Sequence, residues 1–122
     1  MKILVVDDHP DSVDSLTRLL QAHGHETACA YDGRQALEVV RLFQPEAVVL
    51  DIDMPVLDGY GAAHAIRLAP GDRLPVLVAL SALGGHETRR KAFEAGFDAH
   101  LVKPARVEAL LELIDKLRRE RS

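Results

Sequence analysis

The chain has 122 residues, of which 48% are hydrophobic and 28% charged, with a formal net charge of −4 and a single cysteine, Cys29. That length suits one domain, residues 1–122, with a core of its own. The acidic balance argues against a nucleic-acid or membrane-surface partner, and the lone cysteine rules out an intramolecular disulfide and fits a reducing, cytoplasmic setting.

The first apolar run, Ile3–Val6, has strand length and leads into Asp7-Asp8. "MKILVVDDHP" reaches carboxylates too early for the core of a signal peptide, and no apolar stretch approaches the roughly 18 residues that span a bilayer. His9-Pro10 opens a helix with proline in its first turn. Val13, Leu16, Leu19 and Leu20 form its apolar stripe, and Gly24 stops it. His23-x-His25 lacks a third ligand nearby and reads as a surface turn. A weaker strand near Thr27–Ala30 carries Cys29 as a small buried hydrophobe and ends in Tyr31-Asp32.

A second helix follows on Ala36, Leu37, Val40 and Phe43 and ends before Pro45. The strand Ala47–Leu50 then runs into "DIDMP", two carboxylates one residue apart, Asp51 and Asp53. A third helix extends from about Gly59 to Leu68, with Asp58 as its cap and Pro70-Gly71 as its stop. The strand Val76–Leu80 ends at Ser81. The fourth helix, Glu87–Ala95, is thinly apolar, with Ala92 and Phe93 as its main anchors and Arg89-Arg90-Lys91 as a solvated face. The strand Ala99–Val102 delivers Lys103. The fifth helix has its stripe on Val107, Leu110, Leu111, Ile114 and Leu117, with Glu112–Lys116 and Asp115–Arg119 as i,i+4 pairs.

Strands alternating with helices predict (βα)5, a doubly wound parallel sheet of five strands in the order 2-1-3-4-5. Three of the runs are apolar on both faces, as strands covered by helices on both sides must be. Ligands of such sheets bind beyond the carboxyl ends of the strands at the switch point, here between the first and third strands. Asp7-Asp8, Asp51, Ser81 and Lys103 all arrive at that edge. Any one of them would serve as an ordinary turn or capping residue, but their joint arrival calls for chemistry. Crowded carboxylates repel one another, and a hard divalent cation such as Mg²⁺ or the lysine ammonium relieves that. A carboxylate, a cation, a lysine and a hydroxyl can neutralise a phosphoryl group in transfer, and the carboxylate can be its nucleophile.

These residues resemble the response-regulator receiver domains of two-component phosphorelays, over essentially the whole chain. The likeness rests on Val5-Val6-Asp7-Asp8, Leu50-Asp51-Ile52-Asp53-Met54-Pro55 with Asp58-Gly59, Ala79-Leu80-Ser81-Ala82 and Lys103-Pro104. The resemblance implies a flavodoxin-like fold and a signalling phosphoacceptor rather than an enzyme. It implies Asp51 as phosphoacceptor, Asp8 with Asp7 in support as Mg²⁺ ligands together with Asp51, and the backbone carbonyl of Asp53 as a further ligand. Ser81 and Lys103 would hold phosphoryl oxygens, and Lys103-Pro104 would be a cis peptide. Asp53 and Leu83 would tune dephosphorylation. Ser81 would be a switch residue with His100, which stands where the family often has tyrosine or phenylalanine. The implied partners are a histidine kinase or histidine phosphotransfer protein, and a downstream protein that reads the face made by the fourth helix, fifth strand and fifth helix.

Two rival readings share some of these features. A haloacid-dehalogenase-like Mg²⁺ phosphohydrolase also carries Asp-x-Asp after an apolar strand, but there the paired acidic residues follow that motif, and 122 residues leave no room for a substrate-selecting cap. A non-phosphorylated pseudo-receiver usually lacks an acidic residue or the lysine, both present here. The initiator-like Met1 and the polar Arg118–Ser122 tail lean towards a stand-alone receiver.

Overall fold

The computed structural model describes residues 1–53, 59–68, 74–82 and 84–121, without the side chains of 59 and 121. Met54, Pro55, Asp58, Pro70, Gly71, Leu83 and Ser122 lie outside the described residues. The elements alternate along the chain: β1 (Lys2–Val6), α1 (Pro10–Ala22), β2 (Glu26–Ala30), α2 (Gly33–Phe43), β3 (Ala47–Asp51), α3 (Gly59–Leu68), β4 (Val76–Ser81), α4 (His86–Ala95), β5 (Ala99–Val102) and α5 (Val107–Arg121). The five strands form one parallel sheet in the order β2-β1-β3-β4-β5, as the alternation predicts.

The two-residue period of a strand splits its side chains between two cores. Leu4 and Val6 of β1, Val48 and Leu50 of β3, and Leu77 and Ala79 of β4 pack with Ala36, Ala62, Ala63, Ile66 and Ala92 on one side of the sheet. Ile3, Val5, Ala47, Val49, Val76 and Val78 pack on the other side with Val13 and Leu20 of α1 and Val107, Leu110 and Ile114 of α5. Burial on both faces explains why β1, β3 and β4 read as continuous apolar runs. The edge strands β2 and β5 are less buried.

Local signals set the helix ends. Pro10 sits at the start of α1, and Gly24 follows its end with φ +88°. Asp32 caps α2, its Oδ1 accepting the Gln35 N–H at 2.8 Å while Gln35 Oε1 accepts the Tyr31 N–H at 3.0 Å; such reciprocal bonds satisfy donors that the helix leaves free. Two expected anchors differ from the observed ones. Leu19 is 48% exposed, and Thr17 takes its place on the buried stripe of α1, its hydroxyl donating to the Asp14 carbonyl. Phe93 is 50% exposed, whereas Phe97, just beyond α4, is buried. Gly96, at φ +111°, ends the helix and turns the chain so that Phe97 enters the core.

The amino-terminal edge of the sheet is tied by Arg67 of α3. Its Nε donates to the Gly96 carbonyl at 2.8 Å and its Nη1 to the Pro75 carbonyl at 2.9 Å, while Nη2 pairs with Asp98 Oδ2, which also accepts the Leu77 N–H. One guanidinium thus joins α3, the start of β4 and the turn into β5, the geometry that suits arginine's fixed fork of donors.

Candidate functional site

Strand register assembles the site at the opposite edge. Val6 lies beside Leu50, so Asp7, the next residue, emerges alongside Asp51 at the end of β3. Ser81 lies beside Val102, so Lys103 emerges one position farther on. Parallel strands in register therefore deliver four polar residues to one rim. Asp7, Asp51 and Ser81 are buried there, at 5%, 2% and 1% exposure, where polar groups persist only if paired.

Lys103 supplies the pairing for the two aspartates. Its Nζ lies 3.0 Å from Asp51 Oδ2 and 3.3 Å from Asp7 Oδ2. Burial alone would lower the lysine pKa, but the hydrogen bonds and charges of Asp51 and Asp7 outweigh it and hold the group above its ordinary value. The other Asp51 oxygen, Oδ1, accepts the Asp53 N–H at 2.9 Å. The Lys103–Pro104 peptide is cis.

Asp7, Asp8, His9 and Asp51 each offer a ligand atom, and these atoms lie within 4.8 Å of one another. Asp8 Oδ1 is buried and has no hydrogen-bond partner among the described residues. Its charged neighbour is the exposed His9 imidazole, whose Nδ1 lies 3.0 Å away, and a metal cation would meet such a buried oxygen more fully. Hard carboxylate oxygens are the donors that Mg²⁺ prefers, so the residues present fit the ion. His9 was not foreseen as part of this cluster. Its imidazole pKa is raised by the hydrogen bond to Asp7 and by the charges of Asp8 and Asp7. The signal available was only its position beside the acidic pair.

Asp53 is exposed, and its side chain does more than border the rim: Oδ2 accepts the Ala82 N–H at 3.1 Å, joining the segment after β3 to the segment after β4. His100 sits on β5 beside Ala79, with its Nε2 buried and without a hydrogen-bond partner among the described residues. Burial pushes its pKa down, the positive charge of Arg89 adds to that, and Asp53 opposes it. His23 and His25 lie outside the cluster. His23 Nδ1 is 2.8 Å from the Leu19 carbonyl, and His25 Nδ1 is 3.3 Å from the Met1 amine. Cys29 is only half-buried, packed against the α1–α5 core, and burial raises its thiol pKa. Among the described residues no helix is long and apolar enough to cross a membrane.

The doubly wound sheet thus presents buried aspartates and a lysine together at its switch-point rim. The chain belongs to the response regulator receiver domain family, whose model matches residues 3–115. It is 46% identical over 117 residues to the transcriptional regulatory protein PrrA of Mycobacterium tuberculosis, covering 90% of this chain and 49% of that protein. It is 42% identical over 119 residues to the response regulator MprA of Mycobacterium leprae, covering 98% of this chain and 51% of that one. The chain thus spans about half the length of the curated relatives it matches. Among solved structures, chemotaxis protein CheY4 of Vibrio cholerae superposes with a TM-score of 0.87 at 28% identity, over 94% of this chain and 96% of that one. A chain from the co-crystal structure of the Saccharomyces cerevisiae histidine phosphotransfer signaling protein Ypd1 and the receiver domain of its downstream response regulator Ssk1 superposes with a TM-score of 0.85 at 26% identity, over 93% of this chain and 86% of that one. These matches favour neither the phosphohydrolase nor the pseudo-receiver reading.

Proposed function

We propose that residues 1–122 act as one receiver domain that accepts a phosphoryl group on Asp51 from a histidine kinase or a histidine phosphotransfer protein. The observation that carries this reading is the meeting of the buried Asp51 with Lys103 at 3.0 Å beside Asp7 and Asp8 at one rim. In this reading a carboxylate oxygen of Asp51 attacks phosphorus, the bond from phosphorus to the donor nitrogen breaks, and an acyl phosphate forms. Lys103 and the Ser81 hydroxyl then hold phosphoryl oxygens, and the fixed rim positions the reactants. Asp8 and Asp7, with Asp51 and the Asp53 carbonyl, would hold Mg²⁺, which when bound supplies positive charge against the phosphoryl oxygens. Asp53 and Leu83 would set access of the hydrolytic water. The chain would assist its own phosphorylation and dephosphorylation without turning over a separate substrate.

Added charge at Asp51 would bias Ser81 and His100, and through them the α4–β5–α5 face, between two states. That face carries an exposed Phe93 and Val102 next to charged residues, apolar contacts suited to a downstream protein. PrrA is named a transcriptional regulatory protein, so the expectation of no nucleic-acid partner is confined to the receiver unit itself. The test is labelling by acetyl phosphate with Mg²⁺. Labelling should vanish in Asp51→Asn, and persistent labelling of that variant would overturn the assignment.

A further inference from the structure

Asp53 links Asp51 to the segment that leads into α4 by two hydrogen bonds in series. Its N–H donates to Asp51 Oδ1 at 2.9 Å, and its own Oδ2 accepts the Ala82 N–H at 3.1 Å. An aspartate that follows a strand ordinarily accepts N–H groups a few residues on, within its own turn. This carboxylate reaches instead to a residue 29 positions away, at the end of another strand. Ser81, just before the bridge, is buried, and its carbonyl accepts the Lys103 N–H at 2.9 Å. Ala82 is exposed, so Asp53 grips the chain where it leaves the sheet. Farther on the hold is slight: α4 starts at Gly85, at φ +110° and with no side-chain cap, and buries Ala92.

The charge of this bridge sets how it can open. A carboxylate accepts a backbone N–H more strongly than a neutral oxygen does, so the bridge holds while the rim is at rest. Phosphorylation would replace the single negative charge of Asp51 with about two, one residue away from Asp53. Like charges repel, and the Asp53 side chain is exposed, so it has water to turn into. We propose that the Asp53 carboxylate is an electrostatic latch. It holds the segment after β4 in the unphosphorylated chain, and phosphoryl charge on Asp51 drives it off the Ala82 N–H. The latch rests on the reading of Asp51 as phosphoacceptor and names the contact through which that event reaches α4.

The test is amide hydrogen exchange at Ala82, read by NMR on the parent, Asp53→Ala and Asp53→Asn. Each is measured in the same MgCl₂, with and without excess acetyl phosphate, and intact mass gives the labelled fraction. Without label, Ala82 should exchange about tenfold or more slowly in the parent than in Asp53→Ala. Labelling should raise the parent to the rate of Asp53→Ala. Asparagine keeps an oxygen that accepts the same N–H but carries no charge, so at equal labelled fraction Asp53→Asn should stay within about twofold of its unlabelled rate. Equal exchange in the unlabelled parent and Asp53→Ala would overturn the latch. So would release in labelled Asp53→Asn as large as in the parent, because the bridge would then only follow the segment. Labelling of the parent with no change at Ala82 overturns the latch alone; a parent that takes no label at Asp51 overturns the phosphoacceptor reading with it.

Discussion

Replacing Lys103 by methionine keeps most of the apolar stem and removes the ammonium that lies 3.0 Å from Asp51 Oδ2 and 3.3 Å from Asp7 Oδ2. At an effective dielectric near 20 each contact is worth about 5 kcal/mol of Coulomb attraction, and in bulk water about 1.3 kcal/mol. The aspartate side chains are 2% and 7% exposed but the lysine is 31% exposed, so the true environment lies between those limits. Desolvation of the ammonium and about 2 kcal/mol of lysine rotamer entropy oppose the attraction. The net loss should be about 2 kcal/mol, below the roughly 3–5 kcal/mol of a fully buried pair. Urea unfolding without divalent cations, on the parent, Lys103→Met, Asp51→Asn and the double variant, measures it. Removing the Asp51 charge relieves the crowding that Lys103→Met exposes, so the two changes should couple by about 1 kcal/mol or more. Additivity to within about 0.5 kcal/mol would refute the electrostatic account of the rim.

Gly96→Ala places a Cβ 2.7 Å from Arg67 Cγ at a backbone φ of +111°; a loss of about 2 kcal/mol in thermal or urea unfolding is expected, and a loss under about 0.5 kcal/mol would show that Arg67 is not held as described. Asp53→Asn should leave phosphorylation by acetyl phosphate largely intact, because the carboxylate acts on the Ala82 N–H and not on the phosphoryl donor; complete loss of labelling would point instead to a general acid. His100, held neutral by burial and by Arg89, should titrate below 6.5 by NMR and move upward in Arg89→Ala. Its folded pKa is lowered, so the associated stability is present above about pH 6.5 and is lost as pH falls through the folded value; titration at or above 6.5 would contradict the burial argument.

The fold was readable because the central strands are apolar on both faces. Ile3–Val6, Ala47–Leu50 and Val76–Leu80 could only be covered strands, and the switch-point rule then placed Asp7, Asp51, Ser81 and Lys103 together before any contact was known. What escaped depended on side-chain direction or distant pairing. Leu19 has the right periodicity and the wrong angle, and Thr17, a residue type that pattern reading discounts, fills the site beneath it. Phe93 sits on a helix with too few apolar residues to define a face, and the turn at Gly96 gives the core Phe97 instead. Arg67 and Asp98 stand 31 residues apart and meet only in the folded chain. His9 was accounted for by helix initiation, which hid its contact with the acidic pair.

Of the ten residues of α4, Ala92 is buried. At its carboxyl end the chain is held by Phe97 in the core and by Arg67 on the Gly96 carbonyl, while at its amino end it joins Gly85, at φ +110°, close to the segment that Asp53 holds through Ala82. If phosphorylation shifts α4 as proposed, the helix would act as a lever, with its fulcrum at the Phe97 end and the effort entering beside Ser81. A ten-residue helix is about 15 Å long, so a rotation of about 10° about its anchored end sweeps the other end through roughly 2.6 Å. Little apolar area grips the shaft, so such a rotation would cost little, and the exposed Arg89, Arg90 and Phe93 side chains that ride on it would deliver the stroke.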